Sequence, residues 1–350
     1  AILNTNKYNG NAFNATGYAE IRFLKDFKFT TKNTVNYDGA RNTTVTNPYY
    51  GSYASSNGIV YKSTLENLTY TLQQLLDWNH TFGSHEVTVL AGHEYYKDVE
   101  TSLSANRSNM FDPSNDELAD AVTAGESNSY RTVYNNEGWL FRGQYNYQQK
   151  YFASASFRRD ASSRFHPDHR WGNFWSAGGA WIISKENWFN APWVNMLKIK
   201  ASYGEQGNDN IDNFLYTNTF NIVNAAGNVA ATPATMGNPE ISWEKNGNFN
   251  AGVEFDLFNS RLGGSVEGFW RKTSDMLSWF PLPPSFGYTG YWDNIGNMEN
   301  GGVEIDLQGT LIQTRDITWT VNANLTWYKN KLSYLPEPVS YTHLRAHETS

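Results

Sequence analysis

The chain has 350 residues and a formal net charge of −7, with 27 Lys and Arg against 34 Asp and Glu. An acidic chain without blocks of basic residues lacks the footprint that neutralises phosphates, so nucleic acid is not an expected partner. The absence of Cys excludes disulfides, thiolate metal sites and Cys nucleophiles.

Hydrophobic and polar residues alternate along most of the chain, and this period of two is typical of β-strands. We predict about twelve strands, in chain order near residues 12–24, 27–38, 59–81, 86–99, 131–147, 151–161, 171–184, 195–206, 240–257, 262–273, 299–312 and 317–330. Helical spacing is scarce, with residues 116–125 the best candidate for a short loop helix, and no apolar run approaches the length of a membrane helix. The sequence therefore predicts an all-β fold.

The predicted connections alternate between short turns and long polar loops. The long loops are 39–58, 100–130, 207–239 and 274–298. Outer-membrane β-barrels combine short periplasmic turns with long extracellular loops, and they place aromatic residues at both membrane interfaces. We therefore predict an antiparallel transmembrane β-barrel. Two alternatives remain open, a soluble all-β carbohydrate-binding protein or hydrolase and a small porin-like barrel.

Charged residues on the predicted strands have a simple explanation in this fold. Glu254 with Asp256, and Glu304 with Asp306, form carboxylate pairs of the kind that glycosidases use. Strand alternation already predicts polar side chains at these positions, facing the interior of a barrel. The expected interior charges are Glu254, Asp256, Lys198, Lys200, Arg142 and Arg158. No catalytic motif supports an enzyme, so we assign no catalytic residue.

Two loop sequences contain residue types that can bind metal ions, but neither loop has the arrangement that a metal site requires. His166 and His169 flank a Pro and an Asp in an outer loop, which offers no regular scaffold for ligands. Asp112 and Asp116 begin like a calcium loop, but Glu117 stands where such a loop needs Gly. We therefore expect neither a metal nor a cofactor.

Aromatic residues are dense in the long loops. Flat rings stack on sugars and provide rigid apolar contacts for peptides. We predict that loops 39–58 and 274–298 contact a substrate through Tyr49, Tyr50, Trp279 and Tyr291.

An ordered series of short runs in the sequence resembles the barrel of the SusC/RagA-type TonB-dependent outer-membrane transporters of Bacteroidetes. The runs are Arg159–Phe165, Arg170–Ser176, Trp181–Phe189, Leu197–Gly204, Asn238–Lys245, Asn250–Phe255 and Asn297–Glu304. Each run is short, but their order and spacing extend the resemblance over most of residues 10–335.

This resemblance implies a large plugged barrel that takes up nutrients across the outer membrane. It implies oligosaccharides or peptides as cargo, and energy supplied by TonB with ExbB and ExbD through a missing N-terminal region. It also implies a SusD-like lipoprotein on the cell surface and contact with outer-membrane lipid.

The resemblance further implies that the chain is only part of a barrel. Plugged transporters of this type have about 22 strands, and an open sheet in lipid leaves edge N–H and C=O groups unpaired at several kcal/mol each. We expect residues 1–338 to be a partial TonB-dependent transporter barrel without a plug domain. Residues 339–350 are expected to be a non-native or disordered tail.

Overall fold

The computed structural model describes residues 4–335, so the predicted tail at 339–350 lies outside the described residues. Sixteen strands and three 3-10 helices occur in the described range. The strands are β1 (Thr5–Phe23), β2 (Phe27–Thr46), β3 (Ile59–Phe82), β4 (His85–Met110), β5 (Ala121–Tyr147), β6 (Tyr151–Ser162), β7 (Trp171–Ile182), β8 (Val194–Asn208), β9 (Thr219–Ala225), β10 (Asn228–Thr235), β11 (Glu244–Leu257), β12 (Leu262–Ser274), β13 (Leu277–Pro281), β14 (Gly290–Asn294), β15 (Asn297–Gln313) and β16 (Thr318–Tyr334). The 3-10 helices are Leu118–Asp120, Ile183–Lys185 and Pro284–Phe286. Between residues 4 and 335, the chain has no helix with the length and apolar character needed to cross a bilayer.

Twelve of the strands form one antiparallel sheet, which confirms the predicted all-β fold and strand number. Their order is β1-β2-β3-β4-β5-β6-β7-β8-β11-β12-β15-β16. The sheet is open, because β1 and β16 are its edges, and the described residues therefore do not form the closed porin-like barrel considered above. Two hairpins, β9–β10 and β13–β14, stand outside this sheet.

The observed strands extend further into the long connections than predicted. β4 continues to Met110 and β5 begins at Ala121, so most of the predicted loop 100–130 is strand. The predicted loop helix at 116–125 is wrong, because only Leu118–Asp120 is helical and β5 follows directly. A strand needs only about 9–11 residues to cross a bilayer, so both faces of these extensions can be polar. Where neither face of a strand is apolar, the alternation of apolar and polar residues disappears.

The pairing register separates two faces of the sheet. Directly opposed residues of antiparallel strands have neighbouring side chains on the same face. Tyr203 on β8 is opposite Phe249 on β11, which is opposite Trp270 on β12. Lys198 on β8 is opposite Glu254 on β11, on the other side. We call the side with Phe249 the apolar face and the side with Glu254 the polar face.

On the apolar face, neighbouring strands carry uninterrupted stretches of apolar residues or Gly at every second position. These stretches are Phe249–Leu257 on β11, Leu262–Trp270 on β12, Gly301–Gly309 on β15 and Trp319–Trp327 on β16. Each covers about nine residues, the length that a tilted strand needs to cross the hydrocarbon core. The apolar face is therefore matched in length to a bilayer.

The chain divides into two compact units. One contains Ala1–Glu20, Thr30–Gln74 and Glu94–Glu137, and the other contains Ile21–Phe29, Leu75–His93 and the chain from Gly138 onward. The first unit has a small buried core formed by Val45, Val60, Met110 and Ala121. The core of the second unit belongs to its outer loops and is described below.

Candidate functional site

A depression in the polar face of the second unit has small side chains at its centre and charged ones at its rim. Ser154, Gly178 and Ser202 come from the neighbouring strands β6, β7 and β8, and their small side chains leave the centre of the depression open. Lys200 and Glu267 contribute charge beside them. The depression offers hydrogen-bonding groups and charge, but it contains no nucleophile paired with a base.

An ion pair crosses the depression between two strands that are not neighbours. Lys200 Nζ on β8 lies 2.7 Å from Glu267 Oε2 on β12. β11 runs between them, and the residue opposite both is Gly252. Because Gly252 has no side chain, the Lys200 side chain passes over β11 to the carboxylate. This pair therefore depends on a glycine that strand propensity alone does not favour.

The other predicted interior charges also lie on the polar face. Lys198 Nζ is 3.2 Å from Glu254 Oε2, and Asp256 accepts a hydrogen bond of 2.7 Å from the Ser260 hydroxyl. Glu254 and Asp256 are thus engaged by separate partners, which gives no support to a paired acid and base.

Arg158 and Arg142 complete the predicted interior set. Arg158 Nε donates to both oxygens of the buried Asp160 carboxylate, at 2.8 and 2.9 Å. Arg142 shares its strand face with Gln144 and Asn146, which line the depression. The polar face is therefore charged along several neighbouring strands.

A buried aromatic cluster holds the outer loops of the second unit together. Its members are Phe165, Phe174, Ile211, Leu215, Ile241 and Trp243. The Trp243 ring lies 5.4 Å from both the Phe165 and Phe174 rings, and its Nε1 donates to the Arg170 carbonyl at 2.8 Å. The loops after β6, β8 and β10 all contribute, so this cluster joins three connections of the second unit.

The hairpin β13–β14, which sequence alone did not predict, places two of the predicted substrate residues. Trp279 is opposite Trp292, with ring centroids 6.2 Å apart, and Phe280 is opposite Tyr291 at 5.5 Å. Leu277 and Trp292 pack on the aromatic cluster. Trp279 and Tyr291 therefore point to opposite faces of one hairpin, and Trp279 shares the cluster-facing side.

Hydrogen bonds attach the hairpin to the segment that precedes β11. Asn294 Oδ1 accepts from the Ser242 N–H at 2.8 Å, and Asn294 Nδ2 donates to the Ser242 carbonyl at 2.9 Å. Asn238 Nδ2 donates to the Asp293 carboxylate at 2.8 Å. Burial, followed by the charge of Asp293, raises the pKa of the Tyr291 phenol above its usual value. Tyr291 is consequently a neutral hydrogen-bonding group at physiological pH.

Tyr49 and Tyr50 lie in the first unit on a short loop with a fixed backbone. Asn47 is buried, and its Oδ1 accepts the N–H groups of Tyr49 at 2.8 Å and Tyr50 at 3.2 Å. The two rings remain 65% and 55% exposed. Tyr49 also lines a small cavity with Lys7 and Asp116. A rigid backbone with exposed rings is suited to stacking on a ligand.

The loop residues considered for metal binding are engaged in other contacts. Asp112 accepts hydrogen bonds from the N–H and hydroxyl of Ser114, which lower the pKa of its carboxyl, and Asp116 pairs with Lys7. His169 Nε2 lies 3.2 Å from Glu240. No cluster of three or more potential ligands is arranged for a metal ion in residues 4–335.

Residues 2–344 match the family described as TonB dependent receptor-like, beta-barrel. The chain therefore belongs to this family, as its sequence runs indicated. The family is one of receptors and not of enzymes.

Individual relatives are also TonB-dependent receptors, and the chain covers only part of their length. The chain is 31% identical to the TonB-dependent receptor P39 of Formosa agariphila, covering 80% of this chain and 28% of that protein. It is 28% identical to the TonB-dependent receptor SusC of Bacteroides thetaiotaomicron, covering 95% of this chain and 34% of SusC. The solved RagAB peptide importer in its closed-closed state matches with a TM-score of 0.89 at 25% identity, covering 95% of this chain and 37% of that one. The chain thus spans about a third of the length of these relatives.

Proposed function

We propose that this chain forms part of the wall of an outer-membrane TonB-dependent transporter that takes up nutrients. The observation that carries the proposal is the separation of faces. Apolar stretches of bilayer length cover one side of the sheet, and ion pairs such as Lys200–Glu267 occupy the other. In a barrel the apolar face contacts lipid and the polar face lines the interior. Membership of the TonB-dependent receptor family supports this arrangement over a soluble all-β protein.

In this role the chain forms only part of the barrel wall, and other segments of the full-length protein form the remaining strands and the plug domain. Residues 1–338 are assigned to a partial barrel, since the sheet edges β1 and β16 have no second neighbour in residues 4–335. Unpaired edge groups in lipid cost several kcal/mol each, so further strands must complete the barrel. Coupling to TonB, ExbB and ExbD belongs to a region that precedes this segment in the full-length protein.

Cargo and partner are inferred from similarity and from the loops. We infer an oligosaccharide or peptide as cargo, and a SusD-like surface lipoprotein as partner, from the resemblance to SusC/RagA-type transporters. The similarity to the RagAB peptide importer supports the peptide. Tyr49 and Tyr50 offer exposed rings for contact with cargo, and Tyr291 offers a ring with a neutral hydroxyl. Trp279 is the weaker candidate, because it shares the hairpin side that packs on the aromatic cluster.

Two neighbouring residues of β12 provide a direct test of the proposed orientation in the full-length protein. Val266 lies at the middle of an apolar stretch, and Ser265 is on the polar face opposite Glu254. Arg at the bilayer midplane costs about 2–4 kcal/mol on the lipid face. Val266→Arg should therefore strongly reduce folded, heat-modifiable barrel in outer membranes, and Ser265→Arg should leave its amount near that of the wild type. Equal losses would contradict the assignment of the faces.

Uptake of a labelled oligosaccharide or peptide by cells tests the activity itself. Deleting the gene for the full-length protein should abolish this uptake, and restoring the gene should recover it. Unchanged uptake of both cargo classes, or recovery of the protein in the soluble periplasmic fraction, would be evidence against a transporter.

A further inference from the structure

Lysines follow the apolar stretches at the loop end of three strands. On β11, Lys245 lies four residues beyond the end of its stretch at Phe249, and on β12 Lys272 lies two residues beyond Trp270. On β16, Lys329 and Lys331 lie beyond Trp327. The register places all of these lysines on the apolar face. We call Lys245, Lys272, Lys329 and Lys331 the lysine belt.

Positive charge exceeds negative charge in this belt. Glu299 on β15 is opposite both Lys272 and Lys331. On β8, Glu205 is the other nearby acid, and it accepts a hydrogen bond of 3.0 Å from the Tyr203 hydroxyl. Within residues 4–335, none of the four lysines has a carboxylate within 4.0 Å. Within the described part of the chain, direct ion pairs therefore do not neutralise their ammonium groups.

We propose that the lysine belt binds the phosphate groups of lipid headgroups around the barrel, an inference that rests on the proposed membrane location of the apolar face. Tryptophans at the ends of the stretches on β12 and β16 mark the boundary where hydrocarbon meets headgroups. Lys side chains place their methylene stems on apolar surface and extend the ammonium towards polar groups. Because the belt continues the lipid-facing surface, its occupant is an anionic lipid.

Lipid retention by the full-length protein tests this proposal. The protein is reconstituted in bilayers of phosphatidylglycerol and phosphatidylcholine, released, and analysed by native mass spectrometry. The wild type should retain phosphatidylglycerol selectively. A lysine near an anionic surface contributes roughly fivefold in affinity, so Lys272→Gln should weaken retention by about that factor. The triple variant Lys245→Gln/Lys272→Gln/Lys331→Gln, which keeps only Lys329 of the belt, should lose most of this selectivity.

Arg271 provides the matched control, because it is the next residue on β12 and lies on the polar face opposite Asn248. Arg271→Gln removes the same charge and should retain phosphatidylglycerol like the wild type, and Lys272→Arg should do so as well. Equal retention by the wild type and a folded triple variant would overturn the proposal. So would an equal loss in Arg271→Gln.

Competition with inorganic phosphate distinguishes a lipid site from a site for soluble anions. Millimolar phosphate should leave phosphatidylglycerol bound, and its displacement would overturn the assignment to lipid. Failure of the two proposals is also distinguishable. A wild-type protein absent from membranes contradicts the transporter, whereas an embedded protein without lipid selectivity contradicts only the lysine belt.

Discussion

Lys200 Nζ lies 2.7 Å from Glu267 Oε2, although β11 separates their strands β8 and β12. The two side chains connect β8 to β12 across the intervening strand β11, on the polar face. It exists because Gly252 occupies the position opposite both residues. At this point of the proposed barrel wall, the ion pair therefore depends on which residue of β11 the strand register places between the two side chains.

Gly252→Ala is expected to destabilise the full-length protein. An added Cβ would lie 2.6 Å from the Val266 carbonyl oxygen and 3.0 Å from Glu267 Cα, and both are backbone atoms that cannot move freely. We expect a loss of about 1–3 kcal/mol in the free energy of unfolding, as for other overpacked sites. Gly263→Ala is the control, because its nearest neighbour would be 3.8 Å away. Denaturant unfolding in detergent measures both, and equal stabilities would contradict the crowding at Gly252.

The ion pair itself should show a measurable coupling energy. Lys200→Met and Glu267→Gln, alone and combined, form a double-mutant cycle. We expect a coupling of about 0.5–1 kcal/mol, since both side chains are only partly shielded from water. The cycle of Lys198→Met with Glu267→Gln should give almost none, because Lys198 pairs with Glu254 instead. A coupling that does not differ between the two cycles would show that long-range charge, and not the contact, is responsible.

Trp243 should be the most sensitive position of the outer-loop cluster. It is 6% exposed and packs against two aromatic rings. Trp243→Ala is expected to cost about 3–5 kcal/mol, and Trp243→Phe about 1 kcal/mol through the lost hydrogen bond to Arg170. Trp188→Ala, at a residue that is 65% exposed, should cost much less. Limited proteolysis of the loops and denaturant unfolding test this order.

The connection between β7 and β8 should make the stability of the protein depend on pH in the acid range. Hydrogen bonds from the Tyr151 hydroxyl and then from Trp181 Nε1, at 3.1 Å, lower the pKa of the Glu186 carboxyl. A carboxyl with a lowered pKa contributes stability above its unfolded pKa of about 4.3, and this contribution is lost as pH falls through the folded value. The midpoint temperature of thermal unfolding should therefore decrease when the pH is lowered below about 4.5.

The substitution that tests this role is Glu186→Gln. It should make the midpoint temperature of thermal unfolding less dependent on pH between 6 and 3. Glu126→Gln is the control, because this exposed carboxylate makes no hydrogen bond or ion pair within the part of the chain that the structure describes. If the midpoint temperatures of the wild type and Glu186→Gln depended on pH in the same way, Glu186 would not be the cause of the acid sensitivity.

Neighbouring residues of β14 should separate folding of the hairpin from contact with cargo. Trp292 packs on the aromatic cluster, and Tyr291 faces the other side. Trp292→Ala is expected to make the loop 275–296 sensitive to protease. Tyr291→Ala should keep the loop resistant and weaken cargo binding by up to roughly tenfold, the value of one aromatic contact. Cargo affinity equal to that of the wild type would exclude Tyr291 from the site.

The strands of the sheet were predictable because one apolar and one polar face require a period of two. Phe249 to Leu257 shows this period clearly, and the observed strand agrees. The five-residue strands β13 and β14 were not predicted, because so short a segment contains too few alternations around its Pro-rich turn. The repeated aromatic residues on both sides of Gly287 were the one signal that could have indicated a hairpin. Trp279 and Tyr291 were therefore predicted together as substrate residues without any indication of their faces.

The sequence by itself determined an all-β chain, the face on which each side chain of a predicted strand lies, and the family. These follow from alternation within one strand and from the order of short runs along the chain. The tertiary structure decided which residues meet across strands, since register depends on the neighbouring strand and the turn between them. Only register shows that Gly252 separates Lys200 from Glu267, and that Trp279 and Tyr291 face apart.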